Sequence, residues 1–179
     1  MTTRYLLRAA ALVLMVTVGA SAAQAQSPIK LGIAAGAAMP MSTTADAAEI
    51  GYNGTVMLAF NAPLIPVGLR VDGMFNQLQG KESALVGSPK LNVSGVNANV
   101  TYSLLPLPVA RVYVIGGAGY YRSEVEGFEA QNDMGFNAGA GARIGLGRFQ
   151  PFVEARYHRV NMGDDTKLEF VPVTFGFLF

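Results

Sequence analysis

Beyond residue 28 the chain alternates. Apolar side chains recur at every second position through eight blocks, 29–39, 50–60, 67–77, 91–104, 111–122, 135–146, 151–160 and 170–179, separated by polar or Pro/Gly breaks. That period belongs to a pleated strand with two unlike faces. In block 67–77, Val67, Leu69, Val71 and Phe75 share one face, and Gly68, Arg70, Asp72 and Asn76 share the other. In block 151–160, Val153, Ala155 and Tyr157 oppose Glu154, Arg156 and His158, and in block 135–146 Phe136, Ala138, Ala140, Ala142 and Ile144 oppose Asn137, Gly139, Gly141 and Arg143. Block 111–122 is apolar on both faces, which leaves its register open. Over this length there is no helix-length apolar run, no heptad and no long amphipathic helix pattern. The pattern predicts an all-β chain, eight antiparallel strands in up-and-down order closed into a barrel.

The first 25 residues do not belong to that pattern. Arg4 and Arg8 precede an apolar run over 9–20, and Ala23-Gln24-Ala25 supplies the small-x-small spacing that a signal peptidase reads. The run is about a dozen residues, short of the roughly 20 that a spanning helix needs. The expectation is a secretory signal peptide over 1–25 and a barrel domain over 26–179. Cleavage after Ala25 removes two arginines and no acids, taking the net charge from +1 to −1.

Alternation alone does not say which face is outside, because a soluble barrel buries its apolar face and a membrane barrel turns it to lipid. Two features favour lipid. Connections alternate in length: 61–66, 105–108 and 147–150 are short, whereas 40–49, 79–90, 123–134 and 161–169 are long and polar. Ten of the twelve acids fall in or beside the long connections, leaving Asp72 and Glu154 within strands. Charge is cleared from a band that lipid would surround. Trp is absent, so an interfacial girdle must use other residues; Tyr113, Phe60, Leu104 and Phe179 fall at the short-turn rim.

The chain closes on VPVTFGFLF, with Phe175, Phe177 and Phe179 at alternate positions. Here, and in the stretches VYVIGGAGYY and PFVEARYH, the sequence resembles small bacterial outer-membrane barrels of the porin-like, opacity and OmpA/OmpX type. In that family a last strand ending in Phe is the assembly signal. Thr174 and Pro172 depart from the usual pattern, which expects Gly upstream and a polar residue at these places. The resemblance implies an outer-membrane transmembrane barrel that meets lipid and lipopolysaccharide. It also implies delivery by periplasmic chaperones and the barrel assembly machinery. A structural, adhesion or surface-interaction role would then run through the four long extracellular loops, with a host or surface ligand as partner.

Composition narrows the chemistry. With no Cys and one His, thiolate zinc sites, cysteine nucleophiles and imidazole clusters are out of reach. Net charge near zero with no basic block argues against a nucleic-acid reader. The glycine pairs at 116–119 and 139–141 do not complete G-x-G-x-x-G, since Arg122 and Ile144 stand at the third glycine, and neither opens a helix. Lipid A deacylases of similar size use a His with a Ser two positions on; here His158 is followed by Val160. The expectation is a protein without enzymatic activity, cofactor or metal, with a lipid A modifying enzyme and a small passive pore as the alternatives.

Two residue sets remain as candidate sites. Arg70, Asp72, Arg143, Glu154 and Arg156 all fall on polar faces at similar distances from the short turns, which predicts a cross-lumen charge network about 10 Å above them. Glu124, Glu126, Phe128, Glu129 and Asp133 in the third long loop, with Asp164 and Asp165 in the fourth, form an acidic surface suited to divalent cations or a basic partner, or simply to solubility.

Overall fold

The computed structural model describes residues 28–61, 65–81, 89–106, 110–145, 149–162 and 166–179. Strands run in the order β1 (Ile29–Pro40), β2 (Ala48–Asn61), β3 (Val67–Gly80), β4 (Lys90–Pro106), β5 (Ala110–Val125), β6 (Gln131–Ile144), β7 (Gln150–Met162) and β8 (Thr166–Leu178), with one short helix, α1 (Ser42–Ala47), between the first two. Each strand pairs antiparallel with its neighbour in the chain, and β8 returns to β1 along a seam from Gly32 opposite Leu178 to Pro40 opposite Phe170. The sheet closes as the up-and-down barrel that the alternation predicts, and every described strand has a neighbour on both sides.

The two faces separate as a lipid-surrounded barrel requires. On β3, Leu69, Val71 and Phe75 stand outward and exposed, while Arg70, Asp72 and Asn76 are buried in the lumen. The interior is layered. Met57, Ala59, Phe152 and Leu178 pack together near the short-turn end. Met74, Val93, Tyr121, Val160, Leu168 and Phe170 pack together near the long-connection end. Polar side chains fill the space between them.

Pairing resolves the register of β5. Thr101 lies opposite Ile115 and Asn97 opposite Gly119, which turns Tyr113, Ile115 and Tyr121 inward and leaves Val114 and Tyr120 exposed. Tyr113 therefore leaves the girdle in which the sequence put it, whereas Phe60, Leu104 and Phe179 do face outward. The β7–β8 ladder skips two rungs between Ala155 opposite Val173 and His158 opposite Phe170. Pro172 lies in that gap, and a proline has no N–H to donate.

The long connections are shorter than the alternation suggests. β5 and β6 stay paired as far as Ser123 opposite Gln131, so the expected loop 123–134 contracts to a turn over 126–130. There Gly127 takes φ +88° and the Phe128 amide donates to the Val125 carbonyl at 3.0 Å. Likewise Asn161 pairs with Lys167 and Met162 with Thr166, which confines the fourth connection to 163–165. Above the apolar band the outward face turns polar as well, with Arg122 and Glu124 exposed on either side of buried Ser123, so the alternation of apolar and polar residues stops while the hydrogen-bonded ladder continues. The first connection holds α1 against β8: Met41 donates its amide to the Glu169 carbonyl at 2.9 Å, and the Glu169 amide donates to the Thr44 hydroxyl at 3.0 Å.

Candidate functional site

Four of the five predicted lumen charges converge. Arg70 and Asp72 rise on β3, and Glu154 and Arg156 rise on β7, with both pairs on inward parity. The Arg70 guanidinium grips Glu154 as a fork, with contacts of 2.8 and 2.7 Å, and its Nε lies 2.9 Å from Asp72. Arg156 closes the ring by donating to Asp72 and placing Nε 3.2 Å from Glu154. Two cations and two anions cancel. All four residues are at most 4% exposed, and a fully buried ring of this kind is tolerable only because each charge has partners.

Two neutral side chains complete the ring. The Tyr113 hydroxyl donates to Glu154 at 2.7 Å, and the Asn99 amide donates to Asp72 at 2.9 Å. Neither was marked as a site residue from sequence. Asn99 sits on the polar face of β4, where its parity was readable, but Tyr113 lies on the one strand whose parity was not. Gly141 makes the Tyr113 placement possible, since a Cβ there would lie 2.5 Å from the phenol oxygen.

Arg143 does not join them. Glu154 stands opposite Gly141, and Arg143 stands opposite Phe152, one inward position lower; its guanidinium lies 6.0 Å from the centre of the Tyr113 ring. Counting residues up from the turns ignores the stagger that closing a tilted barrel imposes, and that stagger moves β6 relative to β7.

Above the charges, a second polar layer leads to the upper apolar cluster. Tyr121 donates to Asn97, and its hydroxyl lies 2.9 Å from His158 Nδ1. The His158 ring stacks on Phe170 with centroids 5.0 Å apart. His158 is fully buried and Val160 beside it is buried too. An imidazole in this position faces the barrel interior, away from the lipid a deacylase would attack.

The remaining candidates lie outside the lumen. Phe175 and Phe179 are exposed to the lipid side, and Phe177 shares their parity. The rings of Phe175 and Phe177 are 5.1 Å apart and Phe149 lies 5.8 Å from Phe177, which gives an aromatic strip near the short-turn end. Glu124, Glu126, Phe128 and Glu129 are exposed on the β5–β6 hairpin, with Phe128 at 68%. Asp133 turns to the inner side opposite Tyr121 and is half-buried. Asp164 and Asp165 lie outside the described residues. Among the described residues, no three carboxylate or imidazole groups converge as metal ligands would.

No curated protein matches the chain in sequence. Among solved structures it is similar to Neisserial surface protein A, with a TM-score of 0.66 at 13% identity over 85% of this chain and 96% of that one. It is also similar to the outer membrane protein OprG of Pseudomonas aeruginosa, with a TM-score of 0.51 at 12% identity over 84% of this chain and 94% of that one. At such identities the likeness is one of fold, and the fold is a small outer-membrane barrel. The sequence itself matches the outer membrane protein beta-barrel domain over residues 9–179. The chain therefore belongs to that family and is a bacterial outer-membrane β-barrel protein.

Proposed function

We propose that this outer-membrane barrel acts as a sealed anchor whose working surface is its outer rim, in adhesion or envelope integrity. The observation that carries this reading is the stoppered lumen. An apolar cluster packs near each end and a neutralised charge ring lies between, so the interior supports the wall more than it offers a path or a reactive group. What is left to do work is the outer end, where α1 folds over β8 and the β5–β6 hairpin stands with Phe128 and three carboxylates in water. An exposed aromatic among acids is not needed by a tight turn, and it suits contact with a surface ligand.

The test is a shortened hairpin. Replacing 126–130 by a two-residue Asn-Gly turn keeps the strand pairing, because that turn matches the twist of an antiparallel hairpin. Parent and variant are both expected to stay compact in unheated SDS and unfold on boiling, with the variant losing most cell-surface binding or detergent resistance. A variant that folds and performs like the parent in both assays would remove the rim from the account.

A further inference from the structure

The short-turn end of the lumen is cationic and has no acid to match. The stretches that supply it, 27–34, 57–69, 100–115, 140–153 and 174–179, contain Lys30, Arg111, Arg143 and Arg148 and no Asp or Glu. Arg148 lies outside the described residues. The register gathers the other three. Arg111 on β5 stands directly opposite Arg143 on β6, just as Tyr113 stands opposite Gly141, so both arginines share the inward parity of Tyr113. Lys30 on β1 stands opposite buried Ala59, which sets it inward on the far wall, where Arg143 and Arg111 both repel it.

Like charges directly opposite on paired strands destabilise a sheet. Arg143 is half-buried as well, with Arg111 and Arg70 both adding to the repulsion. Among the described residues none of the three cations makes an ion pair, the Phe179 carboxylate included. The recess that they surround has a floor and an acceptor. Arg143 is opposite Phe152 and Lys30 is opposite Ala59, and Phe152 and Ala59 both belong to the lower apolar cluster. Gln150, opposite Leu178 of that cluster, lies one inward position below Phe152, and its side-chain oxygen is buried with no hydrogen-bond partner among the described residues. Short turns of outer-membrane barrels face the periplasm, so the mouth opens to water on that side.

We propose that this mouth binds free phosphate, or the phosphate of a small phosphomonoester, from the periplasm. Guanidiniums on two directly opposite residues present their forks to one tetrahedral oxyanion, and Lys30 adds a point charge from across the lumen. Three unpaired cations suit a dianion. Hydrogen phosphate also carries a proton, which the orphan Gln150 oxygen accepts, whereas sulfate and the phosphodiester of a lipid headgroup have none to give. Inward parity favours a ligand from solution over a headgroup at the outer wall. The site ends at the lower apolar cluster, so it does not open the lumen and does not rest on the rim reading.

The experiment is isothermal titration calorimetry of the folded protein in maltoside micelles, with inorganic phosphate as the probe at a pH above its second ionisation. One phosphate per barrel is expected, with sulfate held more weakly. Arg111→Gln and Arg143→Gln should each weaken phosphate by about tenfold or more, since each removes charge-assisted hydrogen bonds, and Gln150→Leu should bring phosphate down to the level of sulfate. Phosphate should raise the urea midpoint of the parent and not that of the double arginine variant. Heat-modified migration in SDS checks folding, and Arg111→Gln, at an exposed position, carries the test if Gln150→Leu does not fold. In phosphate-free buffer both arginine variants should unfold no earlier than the parent, because each relieves a repulsion; earlier midpoints would make the cations structural and overturn the proposal. So would unchanged phosphate affinity in the folded variants, sulfate bound as tightly as phosphate, or phosphatidylglycerol in mixed micelles displacing phosphate, which would make a lipid headgroup the occupant.

Discussion

Glu154 accepts hydrogen bonds from Arg70 and Tyr113 and lies against Arg156 at the same time. Replacing it by Gln leaves two buried arginines facing the single carboxylate of Asp72, and the expected cost is about 3–5 kcal/mol. Removing a cation as well should cost less than the two single changes added together, because charge balance returns. Urea unfolding midpoints of Glu154→Gln, Arg70→Gln and the double variant measure this; strictly additive losses would mean that the ring is not coupled. Four members of the ring could be read from sequence because Arg70, Asp72, Glu154 and Arg156 alternate cleanly with Leu69, Val71, Val153 and Ala155. Tyr113 could not, since its neighbours on both faces are apolar, and Arg143 was misplaced because level in a tilted barrel depends on stagger as well as on distance from a turn.

At the scale of elements, β8 separates two effects that its sequence runs together. Phe179 faces lipid, whereas Leu178 is buried against Met57, Ala59 and Phe152. Leu178→Ala should destabilise the folded barrel by about 2–5 kcal/mol, the range for a buried leucine that leaves a cavity. Phe179→Ser should lower the amount of assembled protein in the outer membrane and leave the unfolding midpoint of what does assemble nearly unchanged. Equal midpoints for the two variants would show that Leu178 does not help to close the lower lumen. The strands were legible wherever one face meets lipid and the other a polar lumen. Their upper ends were not: residues 123–125 and 131–134 remain in the ladder after the apolar–polar contrast between the faces has gone. Helix α1 was equally hidden, because a six-residue helix held by Thr44 and by the Glu169 backbone leaves no periodic trace.

For the molecule as a whole, the same alternation that hides the interior from a soluble-protein reading dictates an apolar wall and a polar lumen, and a narrow eight-stranded barrel has just enough room for side chains to fill that lumen. The lumen of this barrel holds a neutral charge ring between two apolar clusters, which is the ground for proposing function at the outer surfaces. Planar-bilayer recording of the purified, folded protein tests that claim most directly. A silent membrane is expected under conditions in which heat-modified migration shows the barrel to be folded. Reproducible conductance steps from the unaltered protein would contradict it, because a path for ions cannot coexist with the packed interior described here.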